Sequence, residues 1–192
     1  MINVTKRNGN IEPLDLNKFH KVVSWACEGL AGVSPSSVEI KSHIQFFDKM
    51  KTSEIQETLI KAAADLISED NPNYQYVASR LINYDLRKRV WGGPNPENLS
   101  FTIHYNINEG YYDPDIVTWY NEGELEELNS YIVHDRDFDI VYAGMEQFRG
   151  KYLIKNRVDN RYYETPQIAY MLISMLLFRN YPANNRMKYV KD

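Results

Sequence analysis

Residues 4–30, VTKRNGNIEPLDLNKFHKVVSWACEGL, change period halfway along. From Ile2 to Arg7 apolar and polar residues alternate, the period of a strand, and Asn10 to Leu14 return after Asn8-Gly9, a pair that supplies the positive φ angles of a type I′ turn. A β-hairpin is predicted. Asp15 then stands where an N-cap belongs, and Leu16, Phe19, Val23, Ala26, Cys27 and Leu30 recur at helical spacing until Gly29 and Gly32 end the pattern. Cys27 therefore reads as core. The turn also carries adjacent cations, Lys6 and Arg7, pointing toward a helix start. Two fixed cations and free backbone N–H groups can share the charge of a polyphosphate. The competing account makes them solvated charge that guards an edge strand.

Working outward, a second helix is expected after the serines of VSPSSVEIKSHIQFF, with Val38, Ile44 and Phe47 as its apolar marks. The third is expected from Thr52 or Ser53, with Ser53 and Gln56 as a capping box and Ile55, Leu59, Ala63 and Leu66 as its stripe. The fourth should start at Asn71-Pro72, a cap residue followed by the residue best suited to the first helical position, and run through Val77, Leu81 and Tyr84 to Lys88. The first half thus reads as a hairpin on a bundle of roughly four helices.

WGGPNPEN, residues 91–98, concentrates Gly and Pro and marks the expected boundary between residues 1–91 and 92–192. Beyond it, helical patterns run over 96–108, 114–120 and 124–131, with a longer one in DFDIVYAGMEQFRG. KYLIKNRVDNRYYET alternates on both sides of Asp159-Asn160 and predicts a second short hairpin. Pro166 to Phe178, almost wholly apolar, predicts a buried helix, and YPANNRMKYVKD the start of another. The fold class is mainly α.

Composition bounds the function. The chain has 192 residues, 43% of them apolar, a formal net charge of −4 and a pI near 5.6, so phosphate-backbone coating is not its business. No apolar run is long enough to span a membrane, and the N-terminus lacks the pattern of a signal peptide, so neither nucleic acid nor membrane is an expected partner. The single cysteine excludes a disulfide framework and a zinc ribbon and suits the reducing cytoplasm.

Other side chains have plainer readings. His134-Asp135-Arg136-Asp137 lacks a second ligand set at metal spacing, so capping and ion pairing at a helix start account for it and no metal is expected. His20, His43 and His104 lie in helical patterns without a nucleophile partner. Tyr74, Tyr76 and Tyr84 read as core and interface residues. NEGELEELNS reads as a solvated acidic helix face.

The order VTKRNG, IEPLDLNK, KTSEIQETLIKAAADLI, NPNYQYVASRLINYDLRKRV resembles the ATP-cone, the allosteric nucleotide-binding domain at the N-terminus of many ribonucleotide reductases. YDPDIV, HDRDFDIVYAGMEQFRGKYLIKNR, YYETPQIAYM and NYP are similar to the helical region that follows the cone in the large chain of class I aerobic ribonucleoside-diphosphate reductase. The resemblance implies an ATP-cone over 1–91 and, over 92–192, the helical region that precedes a catalytic ten-stranded barrel absent from this chain. It implies ATP or dATP as allosteric effectors, with Mg2+ accompanying the nucleotide. Lys6, Arg7 and Lys88 are similar to residues that hold the triphosphate, Glu12, Leu14, Asp15, Lys18 and Phe19 match the segment that recognises adenine and ribose, Thr52 matches a nucleotide contact, and Val4 floors the base. Gln56 stands where many relatives place a histidine facing the phosphates, and Asp15 where asparagine is common, adding negative charge near the nucleotide.

The family's chemistry needs a thiyl-forming cysteine, a redox pair and a C-terminal cysteine pair, whereas this chain has Cys27 alone. The resemblance therefore implies a regulatory portion that cannot reduce a ribonucleotide unaided. Its expected partners are a separately encoded remainder of the large subunit and the radical-generating small subunit. The expected origin is a split or interrupted gene of the kind found in phages, or a truncated form. The apolar IAYMLISMLLF is then expected to pack partly against the barrel. A free-standing ATP-cone regulator and an inactive remnant of a disrupted gene are the alternatives.

Overall fold

A computed structural model describes residues 2–192, which divide into two compact units. Unit 1 comprises the residues up to Asp85 together with Phe138–Glu146, and unit 2 comprises Leu86–Asp137 and Gln147–Asp192.

Unit 1 begins with the predicted hairpin, β1 (Asn3–Thr5) against β2 (Ile11–Pro13), antiparallel with Val4 opposite Glu12. Its turn differs from the expected type I′. Gly9 N–H donates to the Lys6 carbonyl at 2.9 Å, so Arg7 and Asn8 are the central residues, and only Gly9, at φ +86°, takes the left-handed conformation. Lys6 N–H closes the loop onto the Asn10 carbonyl at 2.8 Å, which makes a three-residue hairpin loop. Asn8 Oδ1 accepts the Asn10 N–H at 3.1 Å, so its side chain does the work that a second positive φ would have done.

Helix α1 (Leu16–Cys27) is capped as predicted: Asp15 Oδ1 accepts the N–H groups of Asn17 and Lys18 at 3.0 and 3.1 Å. Val23, Ala26 and Cys27 are buried, while Leu16 is exposed. Helix α2 (Pro35–His43) ends before Ile44 and Phe47, which are exposed, so only Val38 of its three expected marks is core. A two-residue strand, β3 (Met50–Lys51), then runs parallel to β1, giving the order β2-β1-β3. Only its register on β1 marks it as a strand, and no local pattern predicts it.

Helix α3 (Thr52–Ala64) starts directly from β3. Its N-terminus is closed by the Lys51 N–H donating to the Glu54 carboxylate at 3.0 Å, in place of the expected Ser53–Gln56 box. Helix α4 (Tyr74–Trp91) follows a turn at Asn71–Asn73 and so begins two residues past the expected Pro72. Within unit 1, α1, α3 and the first part of α4 bury Ile60, Ala63, Val77, Leu81 and Ile82, and Arg80 donates to the Glu28 carbonyl at 2.7 Å. Trp25 lies between Tyr84 and Phe138, with centroids 5.9 and 5.4 Å away.

Unit 2 is helical. Its elements are α5 (Leu99–Asn108), α6 (Ile116–Trp119), α7 (Glu122–Tyr131), a 3-10 turn (His134–Asp139, shared with unit 1), a π turn (Phe148–Tyr152), α9 (Pro166–Phe178) and α10 (Ala183–Lys191); α8 (Tyr142–Gln147) lies mostly in unit 1. The single long helix expected over DFDIVYAGMEQFRG is thus three short pieces. Phe138, Val141, Tyr142, Met145 and Phe148 keep α-helical spacing, but Ile140 and Val141 fall between the pieces. The second hairpin contracts to one antiparallel bridge, Lys155 with Tyr162, with Asn160 at φ +56° in the turn. The core gathers Leu99, Ile103, Tyr120, Leu125, Leu128, Ile168 and Met175. Helix α9 has the predicted limits but buries only one face.

Candidate functional site

The residues expected to floor a purine come together. Val4, Met50 and Ile55 form a small buried cluster, against which Leu14, Phe19 and Phe46 pack, and the Phe19 and Phe46 rings meet edge-on at 5.5 Å. β1 makes this possible: as the middle strand it carries Val4 between Glu12 on one side and Met50 on the other. Met50 and Phe46 were not predicted. Met50 belongs to a two-residue strand and Phe46 to the loop before it, and neither stretch is long enough to show a period.

Two of the three expected phosphate ligands, Lys6 and Arg7, sit at the rim, already paired. Lys6 Nζ is 2.8 Å from Glu12 across the hairpin, with both side chains about two-fifths exposed. Arg7 Nη2 is 2.8 Å from Asp85 on α4, whose side chain is 5% exposed. The two pairs differ in consequence. A solvent-exposed pair contributes about 0–1 kcal/mol, so Lys6 can leave Glu12 at small cost. Removing Arg7 from a buried carboxylate costs more, so Arg7 stays tied to α4 and presents its remaining N–H donors from a fixed position.

Around that rim, Asp15 holds the first turn of α1 while Lys18 Nζ lies 3.7 Å from it. Hydrogen bonds from the Lys18 and Asn17 backbone hold the Asp15 carboxyl below its ordinary range, so it stays ionised near neutrality. Thr52 is the first residue of α3, next to Lys51, which pairs with Thr5 in the strand register. Gln56 lies one turn on, but its Nε2 donates to the Leu81 carbonyl at 3.0 Å, tying α3 to α4. Lys88 lies past Asp85 on α4, in unit 2, where it lines a cleft with Arg89 and Arg161. Among the described residues no group of His, Cys, Asp or Glu could hold a metal ion, and no helix is long and apolar enough to cross a membrane.

A three-stranded mixed sheet with a basic hairpin turn and a small apolar cluster, on helices, defines the class: residues 2–89 match the ATP cone domain. The chain as a whole corresponds to the N-terminal region of class I ribonucleoside-diphosphate reductase alpha subunits. It is 49% identical over 188 residues to ribonucleoside-diphosphate reductase 1 subunit alpha of Salmonella typhimurium and 48% identical to that of Escherichia coli, in each case over 98% of this chain and 25% of the relative. Similarity to the ribonucleoside-diphosphate reductase subunit alpha of Enterobacteria phage T4 is 42% over 99% of the chain and 25% of the relative. The chain thus spans about a quarter of the length of the curated relatives it matches.

Proposed function

We propose that this chain is a nucleotide-responsive regulatory portion of a ribonucleoside-diphosphate reductase, acting in deoxyribonucleotide supply in the cytoplasm with a catalytic remainder and a radical-generating small subunit. The observation that carries the reading is the hairpin region within the ATP cone match: an apolar cluster of Val4, Met50 and Ile55 with Leu14 and Phe19 packed on it, and the cations Lys6 and Arg7 on the adjoining hairpin turn. Adenine packs on this cluster, Glu12, Asp15 and Lys18 face the ribose, and the triphosphate of ATP or dATP, with its Mg2+, takes Lys6 from Glu12. Regulation is then linkage. A nucleotide that binds one arrangement of the assembled subunits better than another shifts the population by its differential affinity. The chain's own chemistry stops at binding, because a reductase's thiyl and redox steps need cysteines beyond Cys27, which is buried with its thiol pushed up to about 11 by desolvation.

The exposed face of α9 supports the need for a further polypeptide. Tyr170, Ile173 and Leu177 follow helical spacing on one side and are each more than half exposed.

Calorimetric titration of the purified chain with ATP and dATP tests the reading. Binding is expected, and Lys6→Ala is expected to weaken it by about tenfold or more while leaving the melting temperature unchanged. Arg7→Ala should weaken binding and also lower the denaturant midpoint, because it removes an ion pair to a buried carboxylate. Failure of a folded chain to bind either nucleotide overturns the proposal.

A further inference from the structure

We propose that unit 2 holds a second anion site, a cleft of about 430 Å³ between the last turn of α4, α5 and the Arg161–Tyr163 segment, which takes a nucleoside phosphate. The cleft shares Lys88 and Arg89 with the ATP cone match, and Lys88 is also an expected triphosphate ligand there, so Arg161, Phe101 and Glu97 are the residues that tell the two sites apart.

Its charge is the first argument. Lys88, Arg89 and Arg161 line it against one carboxylate, Glu97, in a chain whose net charge is −4. Two of those cations belong to the C-terminal turn of α4, where they also offset the helix dipole. Arg161 has no such account. It comes from a separate segment and is held in place: its Nη2 donates to the Tyr105 hydroxyl at 3.3 Å, and its guanidinium lies 5.7 and 5.8 Å from the Tyr111 and Tyr163 ring centroids. Those two rings stack at 3.9 Å, so the guanidinium rests on a rigid aromatic support.

Flat apolar surface is the second argument. Phe101 and Tyr105, one turn apart on α5, stack at 6.0 Å with 19° between their planes, yet they are 55% and 41% exposed. An exposed aromatic face beside clustered cations is the chemistry that stacks a base and neutralises its phosphates. The volume lies within the range of small-molecule sites.

The test is titration of the full chain with ADP, ATP and pyrophosphate, in the parent and in Arg161→Ala, Glu97→Gln, Phe101→Ala and Lys6→Ala. Arg161→Ala should weaken one class of nucleotide binding by about tenfold or more, and Glu97→Gln should tighten it by about two- to fivefold. Glu97 is exposed, so its replacement reads out the cleft without threatening the fold. Phe101→Ala should weaken ADP and ATP but not pyrophosphate, and the preference between ADP and ATP tells a diphosphate ligand from a triphosphate one. Binding that survives Lys6→Ala but falls with Arg161→Ala belongs to the cleft; binding lost only with Lys6→Ala belongs to the hairpin. The proposal is overturned if Arg161→Ala and Glu97→Gln leave every nucleotide Kd unchanged in proteins that melt like the parent. Pyrophosphate binding as tight as ADP binding and indifferent to Phe101→Ala overturns the assignment to a nucleoside.

Discussion

At the scale of single residues, unit 2 sets two titrating groups against each other. Asp137 is fully buried, and desolvation pushes its carboxyl up to about 7, although the Arg87 guanidinium and hydrogen bonds from Gln167 pull the other way. His134, three residues earlier, is lowered to about 4, first by burial and then by Arg87, and its Nδ1 is buried without a hydrogen-bond partner. The signs are opposite. Asp137 favours the folded state fully below its ordinary 3.8, and that contribution is lost as pH rises through about 7. His134 contributes above its ordinary 6.5, and that contribution is lost as pH falls through about 4. Between these limits the folded pair holds one proton on Asp137 and the unfolded pair one on His134, so together they add almost no slope. Asp137→Asn should therefore steepen the rise of stability with pH, relative to the parent, by up to about 1.4 kcal/mol per pH unit between about pH 4.5 and 6, and His134→Gln should tilt it the other way by a similar amount. Urea midpoints across that range measure both, and parallel curves for all three proteins would remove the pair from the account.

At the scale of elements, what was legible followed local rules and what was missed followed tertiary ones. The pairing of β1 with β2, though both strands are shorter than the alternating stretches 2–7 and 10–14, the limits of α9 and the Asp15 cap could be read because a strand period, a proline and a capping carboxylate act within a few residues. Strand β3 could not be read, because Met50 and Lys51 are a strand only through their register on Val4 and Thr5. For the same reason the candidate site was half legible: the grouping of Val4 with Leu14 and Phe19 followed from nearby residues, whereas Asp85 and Met50 come from segments distant in sequence. Gln56 looked like a capping residue by spacing and is instead a strut to Leu81, since the Glu54 carboxylate reaches the Lys51 N–H first. The cap of α1 gives a direct test of how far a local rule carries function. Asp15→Asn keeps an acceptor for the Asn17 and Lys18 N–H groups, whereas Asp15→Ala leaves both without one. Asp15→Ala should lower the melting temperature of unit 1 and weaken ATP binding. Asp15→Asn should preserve both at pH 7 and, having no charge to lose, flatten the decline in stability as pH falls below the ordinary carboxylate range. Equal thermal loss in the two variants would show that the charge, and not the cap, holds the turn.

At the scale of the whole molecule, the apolar residues outnumber the interior places available to them. Helix α9 is apolar on nearly every side: Ile168, Ala169, Met171 and Met175 enter the core, while Tyr170, Ile173, Leu176 and Leu177 face outward beside an apolar hollow of about 340 Å³ in unit 2. A helix that is hydrophobic all round is one that is enclosed in its working state, and exposed large apolar side chains in a contiguous patch drive association in water. Relatives four times as long have further polypeptide with which to enclose it. In isolation the chain should therefore self-associate as its concentration rises, through this face. Replacing Ile173 and Leu177 together by lysine should abolish that association in sedimentation velocity, and it should leave the melting temperature unchanged because neither side chain enters the core. A reductase catalytic chain added to the parent should compete with self-association, and it should fail to bind the double variant. If the double variant still associates as the parent does, the face is not the contact, and the Phe101 and Tyr105 surface is the next to examine.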